Sequence, residues 1–106
     1  DLIEGSYINE ERFASSFVND KFKFNKWGKI KIRYHLIYKG IDEQIINLSL
    51  KEIADNEYKN TLKALLTKKK QSLKSLNSYE QNGKLFQYAG NKGYEMELIT
   101  ECINEI

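Results

Sequence analysis

The 106-residue chain has no proline, one cysteine (Cys102) and one histidine (His35). Without proline, no residue fixes φ or removes a helical donor, which favours long unbroken helices. A single cysteine cannot close an internal disulfide. One histidine and one cysteine are too few to build a zinc site, so no metal or other cofactor is expected. The apolar runs are only a few residues long, far short of the roughly 20 needed to span a bilayer. The start, Asp1-Leu2-Ile3-Glu4, is neither basic nor a long apolar stretch and does not read as a signal peptide. Together these absences predict a cytoplasmic protein with no membrane contact. At 41% hydrophobic and 30% charged residues, the composition also excludes a disordered tail. A chain this short buries roughly two-thirds of its accessible surface, so its core is thin.

Charge is segregated. Residues 1–20 hold Asp1, Glu4, Glu10, Glu11 and Asp20 against Arg12. Residues 21–41 then hold Lys21, Lys23, Lys26, Lys29, Lys31, Arg33 and Lys39 with no acid. A second basic block, Lys59, Lys63, Lys68, Lys69, Lys70 and Lys74, precedes Glu80. Such blocks either contact polyanions and acidic protein surfaces or serve as solvated helix faces. The first block is the stronger candidate for contact, because Phe22, Phe24, Trp27 and Tyr34 are interleaved with it. Its Lys23, Lys26, Lys29, Lys31, Arg33 and Lys39 form the expected partner-binding set.

Periodicity predicts six helices. The first runs from Glu10 to about Lys21, with Asn9 as N-cap, an Ile8–Phe13 staple, and Phe13, Ala14, Phe17 and Val18 as its apolar stripe. A connector over 22–26 leads to a second helix from Trp27 or Gly28 to Lys39, with Ile30, Ile32, Leu36 and Ile37 as its apolar positions. The alternating Ile30-Lys31-Ile32-Arg33-Tyr34 also suits a strand, but Gly40 as a left-handed stop favours helix. Asp42 caps the third helix, which lines Ile45, Ile46, Leu50 and Ile53 on one face. The fourth starts near Asp55 or Asn56 and carries Tyr58, Leu62, Leu65, Leu66, Leu73 and Leu76. The fifth opens at Ser78 in a capping box with Gln81 and ends by Gly93. Its internal Gly83 and Gly90 cost about 1 kcal/mol each against alanine, so it is the least secure helix. The sixth runs from about Glu95 to Glu105, with Leu98, Ile99, Cys102 and Ile103 inward.

The chain also repeats. A shift of 53 residues lays Lys39-Gly40-Ile41 on Lys92-Gly93-Tyr94, Ile45-Ile46 on Leu98-Ile99, and Glu52-Ile53 on Glu105-Ile106. The predicted fold is therefore all-α: two tandem three-helix repeats, an elongated right-angle-type helical array over 9–53 and 54–106. Asp1 to Gly5 reads as a helix end with its glycine stop, so residues 1–8 are expected to close a truncated upstream repeat. Phe13, Phe17, Trp27, Leu36, Gly40, Ile46, Gly93 and Ile99 are the expected structural positions.

No catalytic constellation is present. His35 lies in a basic helix with no nearby carboxylate in sequence to orient it. Glu10-Glu11, Asp42-Glu43 and Asp55 with Glu57 are acidic first turns that complement the helix dipole. Gly28-Lys29-Ile30 lacks both the upstream glycine and the following Ser or Thr of a phosphate loop. Trp27 is either a core anchor or a stacking platform, the former being commoner. Arg12 is either a surface contact or a partner of Glu11, Asp20 or a neighbouring repeat.

Gly5-Ser6-Tyr7-Ile8-Asn9-Glu10-Glu11-Arg12-Phe13-Ala14 resembles a signature segment of the RecX family, bacterial regulators of the RecA recombinase. Trp27-Gly28, Ile32, Leu36 and Lys39-Gly40-Ile41 resemble the stretch that follows it in that family, and Lys84-Leu85-Phe86 through Lys92-Gly93-Tyr94 resembles the last repeat. The resemblance implies tandem three-helix repeats, of which this chain looks like the second and third. It also implies a non-enzymatic role in recombination, DNA repair and the SOS response. RecA protein and the RecA–DNA filament are the implied partners, with inhibition of ATP hydrolysis, filament growth and strand exchange. The alternative is a helical DNA-binding module that uses the basic helix faces.

Overall fold

A computed structural model describes residues 2–106, with side chains from Asn9 onward. Among the described residues there are six helices and no strand. They are α1 (Leu2–Lys23), α2 (Lys29–Tyr38), α3 (Glu43–Leu50), α4 (Asp55–Gln71), α5 (Ser78–Lys92) and α6 (Met96–Glu105). The all-α expectation holds, and the alternating Ile30–Tyr34 segment is helical.

Helices pack in triplets. α1, α2 and α3 contact one another, as do α4, α5 and α6. In the first triplet Ala14, Val18 and Phe22 of α1 recur every four residues and meet Ile32, Leu36, Ile45, Ile46 and Leu50. In the second, Leu62 and Leu66 meet Leu85, Ala89, Ile99 and Cys102. These side chains form one continuous buried cluster. The molecule nonetheless measures 60 × 23 × 21 Å, with a radius of gyration of 16.2 Å. A compact domain of this length has a radius near 13 Å, so the two triplets lie end to end.

Both middle helices end in the same way. Gly40 (φ 82°) and Gly93 (φ 96°) are left-handed. Gly40 N–H donates to Ile37 O and Ile41 N–H to Leu36 O, at 2.9 and 3.1 Å. Gly93 N–H donates to Gly90 O and Tyr94 N–H to Ala89 O, at 3.0 and 3.2 Å. This paired bonding satisfies the last carbonyls of the helix and requires φ > 0 at the glycine.

Several local expectations are corrected. α1 runs through Gly5 and Asn9 without a stop or cap; the Ile8 half of the staple lies outside the described side chains. Phe22 belongs to α1 and is buried, where a connector was expected. Phe13 is not a core residue: it is 43% exposed, because Ala14 and Val18 turn inward and carry Phe13 to the rim. In α2 only Ile32 and Leu36 are buried, since a ten-residue helix packed on one side covers a single stripe. α4 ends at Gln71, leaving Leu73 and Leu76 in the following turn. The cap of α5 is Asn77, not Ser78: its Oδ1 accepts from Glu80 N–H at 2.9 Å. Asp42 caps α3 as expected, its Oδ2 accepting from Gln44 N–H at 3.1 Å.

Candidate interaction surface

The expected partner-binding residues do not share one face. A helix turns about 100° per residue, so Lys29 and Arg33 leave α2 on one side and Lys31 and His35 on the other. Lys29, Ile30 and Arg33 line a shallow groove with Asn47, Leu50, Lys51 and Glu95. Lys31 lies across the helix, with its Nζ 4.6 Å from the Trp27 ring centre.

Trp27 is the centre of an aromatic–lysine cluster. Its ring is 4.7 Å from His35 and 6.4 Å from Phe17, and Phe17 is 5.8 Å from Phe13. Lys21 Nζ stands 5.0 Å from Trp27 and 5.5 Å from Phe17. Lys39 Nζ stands 5.7 Å from Phe17 and 5.8 Å from Phe13. Each such contact is worth about 0.5–1 kcal/mol at an exposed site. Lys21, Lys31 and Lys39 thus hold positive charge over a half-buried aromatic row. Trp27 packs against the core with its ring occupied by these neighbours, the anchor role of the two weighed for it. Lys23 and Lys26 are exposed at the α1–α2 turn, where Lys26 is left-handed at φ 59°.

That turn forms the joint between the triplets, which sequence reasoning missed. Gly28 is buried and its N–H donates to Lys92 O at 2.6 Å, while Ile30 N–H donates to Gly93 O at 2.9 Å. A Cβ on Gly28 would lie 2.3 Å from the Gly93 carbonyl carbon, and one on Gly93 would lie 2.3 Å from Lys31 Cβ. Tyr58 Oη accepts from Lys29 N–H at 2.8 Å and donates to Glu95 Oε1 at 2.5 Å. Tyr94 Oη donates to Lys26 O at 3.0 Å. Phe22, Tyr58 and Tyr94 stack in series, with ring centres 5.8 and 5.1 Å apart. Burial, reinforced by Glu95, pushes the Tyr58 hydroxyl well above the ordinary tyrosine value, and burial does the same to Tyr94. Lys92 Nζ donates to Asn25 O at 3.2 Å. Partial burial, then repulsion from Lys31, lowers the pKa of Lys92. The signal available in sequence was a glycine directly after the lone tryptophan, but no local pattern pairs it with Gly93.

The second basic block is partly neutralised inside its own triplet. Lys59 pairs with Glu101 at 3.3 Å and with Glu105 at 2.8 Å, and Lys63 pairs with Glu105 at 3.0 Å. These are the ion pairs among the described residues, and none involves α2. Hydrogen bonds from Lys59, then Lys63, hold the Glu105 carboxyl below its ordinary range. Cys102 is fully buried, and desolvation raises its thiol pKa, so it packs as a small apolar side chain. Among the described residues no group of His, Cys, Asp or Glu converges to hold a metal ion. No helix there is long and apolar enough to cross a membrane.

Comparison with known proteins matches this architecture. The family model for "RecX, second three-helix domain" matches residues 9–50, and that for "RecX, third three-helix domain" matches residues 56–103. "Regulatory protein RecX" of Clostridium botulinum (strain Alaska E43 / Type E3) is 34% identical over 98% of this chain and 49% of its own length. That of Clostridium perfringens (strain 13 / Type A) is 33% identical over 99% of the chain and 48% of its length. That of Bacillus mycoides (strain KBAB4) is 30% identical over 99% and 39%. The chain thus spans about half the length, or less, of these curated relatives. The crystal structure of RecX from Lactobacillus salivarius superimposes with a TM-score of 0.87 at 25% identity, over 98% of this chain and 68% of that one. Two family models in tandem order and a matching crystal fold make the conclusion plain: the chain belongs to the RecX family of regulatory proteins.

Proposed function

We propose that the chain binds RecA and RecA–DNA filaments and restrains RecA's ATP hydrolysis, filament growth and strand exchange. It acts by docking rather than by chemistry, in the cytoplasm, with residues 9–53 and 54–106 as its two docking units. Family membership makes RecA the partner to test. The observation that carries the reading is the shape: a rod 60 Å long whose first triplet presents cations outside the ion pairs found in the second. A rod exposes more side chains per residue than a sphere and can bridge successive subunits of a helical polymer. Two weak contacts held on one rigid body reinforce each other through effective concentration. Basic surface speeds encounter with acidic partners and fixes register.

The test is RecA's DNA-dependent ATPase with the protein added. Inhibition is expected near stoichiometry, and unchanged turnover at several-fold excess contradicts the proposal.

A second reading is direct DNA binding by the basic helix faces, favoured by the lysine-lined aromatic cluster around Trp27. It predicts affinity for naked DNA that falls steeply with salt. Retention that is weak and indifferent to salt counts against it.

A further inference from the structure

The middle helices of the two triplets share their inward residues and differ on their outward ones. The 53-residue shift lays buried Ile32 on Leu85, Leu36 on Ala89, and Gly40 on Gly93. The same shift lays Ile30 on Gly83, Tyr34 on Gln87, and Ile37 on Gly90. Ile30, Tyr34 and Ile37 stand at i, i+4 and i+7, on one side of α2. They are 52%, 68% and 55% exposed. At the equivalent places in α5, a Cβ added to Gly83 or Gly90 would meet nothing within 4 Å. The fold therefore does not require an apolar side chain at these positions, because α5 forms without one. A contiguous exposed apolar stripe that packing does not explain marks a contact surface.

We propose that this outward stripe of α2, with Lys29 and Arg33 beside it, docks into an apolar pocket rimmed by carboxylates on a protein partner. The proposal rests on the reading that the partner is the RecA filament, and it names the face used. Charge sets the chemistry of the rim. α2 carries Lys29, Lys31 and Arg33 and no acid, and Lys51 adds a further cation across the groove. The groove's carboxylate, Glu95, is engaged by the Tyr58 hydroxyl. The shape of the stripe selects a protein over a nucleic acid. Its isoleucines, Ile30 and Ile37, offer no ring for a base to stack on; its rings are Tyr34 and, four residues on, the 84% exposed Tyr38. The nearby Trp27 ring is already covered by Lys21, Lys31 and His35. A tyrosine beside an arginine, framed by aliphatic side chains, is the composition of a helix-in-groove anchor.

The test measures co-sedimentation of the full chain with RecA filaments on single-stranded DNA. The variant Ile30→Gln/Tyr34→Gln/Ile37→Gln keeps good helix formers, and circular dichroism checks that it is folded. It is expected to bind about ten-fold more weakly or worse. Tyr34→Ala alone, at a position 68% exposed, is expected to show the same direction should the triple variant lose structure. Lys29→Gln/Arg33→Gln is expected to weaken binding and flatten its salt dependence. The α5 control Gln87→Ala/Asn91→Ala is expected to bind as the native chain does. Native-like binding by the folded triple variant and by Tyr34→Ala overturns the inference and leaves the proposed function standing. Failure of the native chain to bind filaments overturns both. Equal binding of the native chain to naked single-stranded DNA, lost in the triple variant, makes the occupant a nucleic acid and overturns the protein pocket.

Discussion

Gly40 and Gly93 end equivalent helices with the same two hydrogen bonds and the same left-handed backbone. Their surroundings are opposite. Around Gly40 an added Cβ meets nothing within 4 Å, whereas at Gly93 it would strike Lys31 Cβ and backbone. One glycine is required by φ alone; the other is required by φ and by a neighbouring triplet pressed against it. The pair therefore separates what a helix stop needs from what the joint needs. The contrast between α2 and α5 is of the same kind, with a shared inner face and a divergent outer one. Equivalent positions in a repeat identify which residues the scaffold demands and which serve another purpose.

Substitutions can break this comparison, and the largest effect falls at the joint. Gly93→Ala combines the left-handed cost with a backbone collision, and Gly28→Ala collides with the Gly93 carbonyl. Each is expected to destabilise by upwards of about 4 kcal/mol in urea titration. Leu36→Ala reproduces in the first triplet the alanine already at position 89, but removes packing that the first core was built around. It should cost about 2–5 kcal/mol. Gly40→Ala should lose only the left-handed term, about 1–2 kcal/mol. If Gly40→Ala and Gly93→Ala cost the same, the joint does not constrain Gly93.

Gly83→Ala and Gly90→Ala carry the opposite sign. Both sites are open, so alanine should stabilise α5 by about 1 kcal/mol each, read as a raised melting temperature. The smallest effect is electrostatic and belongs to the second triplet. The Glu105 pKa is held below its ordinary value of 4.5 by Lys59 and Lys63. Its contribution is therefore complete above that value and disappears as pH falls through the lower folded value. Acid titration of Glu105→Gln should show a shallower loss of stability than the native chain.

Much of the fold was legible in sequence because local rules governed it. The apolar spacing of Leu62 and Leu66, the Asp42 cap and the two glycine stops each state their structure within a few residues. The errors arose where a distant element decided the outcome. Asn9 has the chemistry of a cap, yet the helix passes through it. Phe13 fits an apolar stripe, but Ala14 is the residue that turns inward. Ile30 and Ile37 fit the α2 pattern and face solvent. The basic block was legible as composition, while its division into two sides followed only from the phase of α2. The joint was not legible, because Gly28, Tyr58 and the Tyr94-Glu95 pair come together from three separate stretches of the chain.

On the proposed reading the two triplets share a scaffold, and α2 adds an outer docking face that α5 lacks. Hydrogen exchange of the full protein, alone and bound to RecA filaments on single-stranded DNA, tests it most directly. Slowed exchange across residues 29–39 with little change across 82–92 is expected. Protection confined to 82–92, or equal protection of the two helices, would contradict it.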